Sequence, residues 1–186
     1  MKKFTNNTTL VSLVLGILLL LASLSFFDSG VDALIVIGVF QIIVGIAYIL
    51  SGVLDLLAVD STPVGLTKGI ISIAAFPLYI FVYYLVAVIV GGDGLGVAGW
   101  ILSILVLIAA LSTIALGVAS YFVNNEMIVK LARFAILLLL CLLIVIIIFP
   151  ITGGTAALGD ISIFEVACII CYFLITKSFT QLKKEE

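Results

Sequence analysis

Three polar side chains stand in apolar surroundings where chemistry would be possible: Glu165, Gln41 and Asp55. Glu165 lies about one helical turn past Asp160, at the start of a largely hydrophobic run. A carboxylate inside a bilayer is costly and normally faces a cavity or a partner. Glu165 therefore reads either as a group that takes up and releases protons or as an interfacial glutamate reaching the headgroups. Gln41 sits between Gly38 and Gly45. Its amide is expected to hydrogen-bond across helices, for about 1 kcal/mol, with contact to a substrate or ion as the sharper alternative. Asp55 follows about four turns further along, where it is expected to cap the cytoplasmic end of its helix and meet Lys68 or another basic side chain. With Tyr48 between them, Gln41 and Asp55 suggest a polar track between helices.

Other familiar chemistry finds little footing. The chain has no histidine, which removes the usual proton shuttle near neutral pH, the commonest metal ligand and the base of most nucleophilic triads. Cys168-Ile-Ile-Cys171 has the spacing of a redox pair. Reactive pairs, however, sit at a helix N-terminus with solvent access and a cation nearby. These two cysteines, like Cys141, lie within apolar runs and read as small hydrophobes. The glycine-rich stretch around Asp93 follows no strand and precedes no Lys-Ser/Thr pair, so it is a turn and not a phosphate loop. These patterns predict no catalytic residue, no metal and no cofactor.

The elements that position these residues follow from composition. Hydrophobic residues make up 65% of the 186-residue chain and charged residues 10%, with a mean hydropathy of +1.52. Soluble domains run at about 45–50% and about 25%, and so few charges cannot coat a water-facing surface. That excludes a nucleic-acid partner, a disordered tail and a disulfide-stapled secreted domain. The apolar runs predict an all-α, polytopic integral membrane protein, a single domain over residues 1–186. Its six transmembrane helices cover residues 10–27, 33–54, 70–90, 97–121, 131–149 and 161–176. A span needs about 17–25 residues, so the last is short and is expected to begin nearer residue 155. The first run is longer than a signal-peptide core of roughly 7–15 residues, which predicts an uncleaved first helix.

Charge gives the orientation. With the N-terminus inside and six crossings, all eight basic residues fall on one side: Lys2, Lys3, Lys68, Lys130, Arg133, Lys177, Lys183 and Lys184. The opposite turns carry Asp28, Asp32, Asp93 and Asp160. The positive-inside rule then places both termini in the cytoplasm, and a plasma membrane is the expected location. The alternation of Gly/Asp-rich outer turns with basic inner connections predicts three helical hairpins.

Small residues mark the seams. Gly38, Gly45 and Gly52 recur at seven-residue spacing in the second span, as do Thr9, Gly16 and Ser23 in the first and Ser103, Ala110 and Gly117 in the fourth. In lipid, helices associate chiefly through such close backbone approach. The fifth span, Ile136 to Ile148, has no glycine and is expected to face lipid or pack loosely. Pro77 is expected to kink the third span and leave a carbonyl near Ile73 unpaired, with Tyr79, Tyr83 and Tyr84 packing inside. Trp100 reads as an interface anchor.

The stretch Gly16-Ile-Leu-Leu-Leu-Leu, with Gly38-Val-Phe-Gln-Ile-Ile-Val-Gly45-Ile-Ala-Tyr-Ile-Leu-Ser-Gly52, resembles the short hairpin repeat of the HdeD-type acid-resistance membrane proteins. The likeness is best over the first two spans, weaker over the next two and poor over the last third. It implies six spans and no established catalytic residue. The expected function is a small non-enzymatic membrane protein of bacterial type, with a stress-response, accessory or structural role. Its partners would be membrane lipids, a second copy or another membrane protein. A small transporter or solute-binding transporter subunit using Glu165 and Gln41 is the alternative, and a toxin-immunity protein a third.

Overall fold

The computed structural model describes residues 2–27, 32–57, 62–91, 96–123, 125–148 and 163–182. Among these residues the chain forms six helices: α1 (Lys2–Phe27), α2 (Asp32–Leu56), α3 (Thr62–Gly91), α4 (Gly96–Phe122), α5 (Glu126–Ile148) and α6 (Ile163–Leu182). Five contain stretches long and apolar enough to cross a membrane. The apolar part of α6, Val166–Thr176, is shorter, and its expected extension toward residue 155 lies outside the described residues.

Several helices outrun the apolar spans because hydropathy marks where water is excluded, not where backbone hydrogen bonding stops. α3 begins well before residue 70, with Pro63 in its first turn, where a missing N–H costs nothing. α5 begins at Glu126 because Asn125 caps it: its Oδ1 accepts the Met127 N–H at 2.9 Å.

The molecule is apolar outside and partly polar inside. Leu10, Ile17, Leu24, Val36, Ile43, Leu50, Ile101, Ile108 and Leu137 are exposed. Gln41, Ser23, Ser51, Ser103, Thr113, Ser120 and Thr176 are buried. An apolar surface this extensive suits acyl chains as solvent. Several of the buried hydroxyls satisfy themselves on the preceding turn: Thr113 donates to Ala109 O at 2.8 Å, and Ser120 to Gly117 O at 2.7 Å.

The seams lie where the glycines place them. A Cβ on Gly16 would come 2.6 Å from the Gly45 carbonyl oxygen, and one on Gly45 would come 3.0 Å from the Gly16 oxygen. Gly52 lies against Leu13 and Thr9, and Gly38 against Phe26 and Phe27. The two heptad rows thus run antiparallel, and α1 on α2 is the most extensive helix contact. On the other side Gly117 meets Ile73, while Gly69 meets the Tyr121 ring. The buried face of α4 consists of Gly99, Ser103, Val106, Ala109, Ala110, Thr113, Gly117 and Ser120.

Two expectations about the last third change. α5 packs mainly against α4 and α6 mainly against α1, while α5 and α6 touch each other only lightly. Nor is α5 merely lipid-facing. Ala132, Ala135, Ile136, Leu139, Leu140, Leu143 and Ile146 form a buried stripe at helical spacing, with Leu137, Leu138, Ile144 and Val145 outside. Small residues of this stripe lie only toward its N-terminal end, so most of the contact is knob packing by Leu and Ile rather than close backbone approach.

Candidate functional site

α3 is the element on which the polar interior converges. Pro77 lies inside it and is fully buried. Proline has no N–H, so the carbonyl four residues back, that of Ile73, loses its helical donor. The Tyr172 hydroxyl, from α6, donates to that oxygen at 2.9 Å. One residue earlier in the ladder the Tyr48 hydroxyl, from α2, accepts the Phe76 N–H at 3.2 Å and donates to the Ser72 oxygen at 3.3 Å. A single phenol thus bridges the two groups that an uninterrupted helix joins directly. Both tyrosines are fully buried. The proline break is braced from two sides by side chains of two other helices.

From this brace an aromatic column runs along α3. Tyr172 and Phe76 have ring centroids 4.8 Å apart, Phe76 and Tyr79 6.1 Å, and Tyr79 and Tyr83 6.1 Å. Tyr83 meets Tyr84 at 5.4 Å and Phe26 of α1 at 6.2 Å, both edge-on. Tilted and edge-on arrangements place ring edges against ring faces, which the aromatic quadrupole favours. The expectation that these tyrosines turn inward holds for Tyr79 and Tyr84, which are buried, while Tyr83 is half-buried.

Asp55 and Lys68 form the ion pair foreseen from the sequence, with Nζ 2.6 Å from Oδ1. Thr9 of α1 donates to the other carboxylate oxygen at 3.3 Å. Asp55 therefore ties three helices together, with its side chain 27% exposed and that of Lys68 15%. Both groups retain some solvent, which limits the cost of placing charge there.

Gln41 departs from expectation. It is fully buried, yet neither Oε1 nor Nε2 has a hydrogen-bond partner. The interhelical bond predicted for its amide is absent. The continuous polar track is absent too: Tyr48 is committed to α3, Asp55 to Lys68 and Thr9, and Gln41 to nothing. Glu165 lies in the first turn of α6, and its side chain falls outside the described residues. Cys141 is exposed, Cys171 half-buried and Cys168 buried, all three as free thiols, so of the Cys168/Cys171 pair, read as buried small hydrophobes, only Cys168 is fully buried. Trp100 is half-buried in the second turn of α4. Among the described residues no three His, Cys, Asp or Glu side chains gather as a metal ion would require.

Tyr172 is the residue that sequence reasoning missed. Its target lies 99 residues away, and the one available signal was chemical: the carbonyl orphaned by Pro77 needs a donor, and a tyrosine in another apolar run can supply it.

The chain matches no protein-family model, no curated protein and no solved structure.

Proposed function

We propose that the protein is a non-enzymatic integral protein of a bacterial-type plasma membrane, crossing it six times with both termini in the cytoplasm, in an accessory or structural role. The observation that carries this reading is the bracing of α3. The Tyr48 and Tyr172 hydroxyls bond to backbone, and the Asp55 carboxylate bonds to Lys68 and Thr9. Polar groups engaged in this way hold helices together and leave little to act on a substrate. The glycine-lined α1–α2 hairpin supports membership of an HdeD-type group and, with it, a stress-response role. The clustering of basic residues at alternate helix ends supports the orientation.

Native mass spectrometry of protein gently extracted from its own membrane tests the role. A stoichiometric protein partner, or a homo-oligomer carrying only lipid, is the expected result. A stoichiometric bound solute overturns it in favour of the second reading, a small carrier or solute-binding subunit. Gln41 specifically favours that second reading, because neither polar atom of its buried amide has a hydrogen-bond partner.

A further inference from the structure

We infer that an anionic phospholipid binds α5 near its N-terminal end, its phosphate held by Lys130 and Arg133 and an acyl chain lying along the helix beyond them. The inference rests on the membrane-spanning part of the proposed reading and names its lipid partner. It does not depend on the accessory role.

The charges come first. Lys130 and Arg133 stand three residues apart on α5 and so share a face. The other basic side chain among the described residues, Lys68, is largely buried and already lies 2.6 Å from Asp55. Lys130 is 73% exposed. Its contact with Glu126 is 3.3 Å long, and that carboxylate is more exposed still, so a solvated pair of this kind holds Lys130 only weakly. Glu126, Lys130 and Arg133 together carry one net positive charge, which a headgroup of one net negative charge neutralises.

Depth decides that the anion comes from lipid. Glu126–Ile146 of α5 is long and apolar enough to cross a membrane. Centred on hydrocarbon about 30 Å thick, α5 puts Arg133 about 9 Å inside the boundary and Lys130 about half as deep. Long basic side chains at that depth reach back to the interface and draw headgroup phosphates toward themselves. With Nε buried, the Nη groups of Arg133 are what remains to meet phosphate oxygens, and Lys130 adds a compact point charge.

The same face then turns apolar and stays open. Phe134 and Leu137 are exposed, and Cys141 and Ile144 continue the line at helical spacing. Residues three and four apart adjoin on a helix, so they make one strip beside the two cations. Cations at one end of an apolar strip complement a phosphate at one end of an acyl chain.

Arg133 is the sole arginine of the chain, so 15N-arginine labels one guanidinium. The test reconstitutes the full chain in phosphatidylcholine bilayers with and without phosphatidylglycerol, in phosphate-free buffer. Solid-state NMR then reads the 15N–31P dipolar dephasing. The expected dephasing in the mixed bilayers is at least threefold that in phosphatidylcholine alone, and Lys130→Gln should cut it at least twofold. Equal dephasing in the two bilayers overturns the anionic class, and none in either overturns the site. Dephasing unchanged by Lys130→Gln overturns the two-cation arrangement. Spin diffusion from acyl-chain protons to Phe134 and Leu137 separates the two kinds of failure. Its absence overturns the membrane-spanning reading, whereas its presence without 15N–31P dephasing overturns the lipid site alone. The bilayer comparison uses wild-type protein, so a misfolded variant does not blunt it.

Discussion

The Tyr172 hydroxyl of α6 donates a 2.9 Å hydrogen bond to the Ile73 carbonyl of α3, the oxygen left without a helical donor by Pro77. The two residues are therefore energetically coupled through a third. Tyr172→Phe is expected to lower stability by about 1 kcal/mol, the scale of an interhelical bond in a membrane protein. In a Pro77→Ala background the restored N–H serves Ile73, and the same change should cost less than half as much. Thermal unfolding in detergent across the double-mutant cycle measures the coupling. Equal costs in both backgrounds would falsify the brace.

Tyr48 behaves differently because its hydroxyl replaces nothing permanently lost. Removing it leaves the Phe76 N–H and the Ser72 carbonyl free to pair with each other. Tyr48→Phe should therefore destabilise by less than about 1 kcal/mol. Hydrogen exchange at the Phe76 amide should fall as the ladder closes. Faster exchange there would show that the bridge holds a gap the helix cannot close alone.

Gly16 and Gly45 predict a steric result. Gly16→Ala drives a methyl group to 2.6 Å from a backbone oxygen, which side-chain rotation cannot relieve. A loss of about 1–3 kcal/mol is expected, and Gly45→Leu should prevent accumulation of folded protein. Gly65 has open space where a Cβ would project, with nothing within 4 Å, and Gly65→Ala should leave the melting temperature unchanged or raise it. Comparable losses at Gly16 and Gly65 would count against the seam.

The Asp55–Lys68 pair predicts a characteristic asymmetry. Asp55→Ala strands the Lys68 ammonium and releases Thr9, at a cost of about 1–2 kcal/mol given the solvent that still reaches both groups. The double change Asp55→Leu with Lys68→Met should cost less than Asp55→Ala alone. Urea or thermal unfolding of the three variants checks the order.

What could be read in the sequence follows its local periodicity. The glycine heptads of α1 and α2 announced their seam because small residues at regular spacing can be seen along a single stretch of chain. Lys68 and Asp55 announced theirs because two opposite charges stood at adjacent helix ends. The stripe of α5 was hidden, since a run from Ile136 to Leu140 and beyond is hydrophobic on every face and carries no phase. The Tyr172–Ile73 bond was hidden by distance along the chain. The solitude of Gln41 was hidden for another reason: whether an amide has a partner is a property of its neighbours, and those come from other helices.

The seating of α6 on α1 has a consequence for biosynthesis. α1 is synthesised well before α6, yet it packs on α6 as well as on α2. Until α6 follows, the Ile73 carbonyl also lacks its donor. A chain halted before α6 would therefore leave α1 without one of its packing partners and one backbone oxygen of α3 unsatisfied. The arrival of α6, rather than the folding of the individual helices, is the step that supplies both.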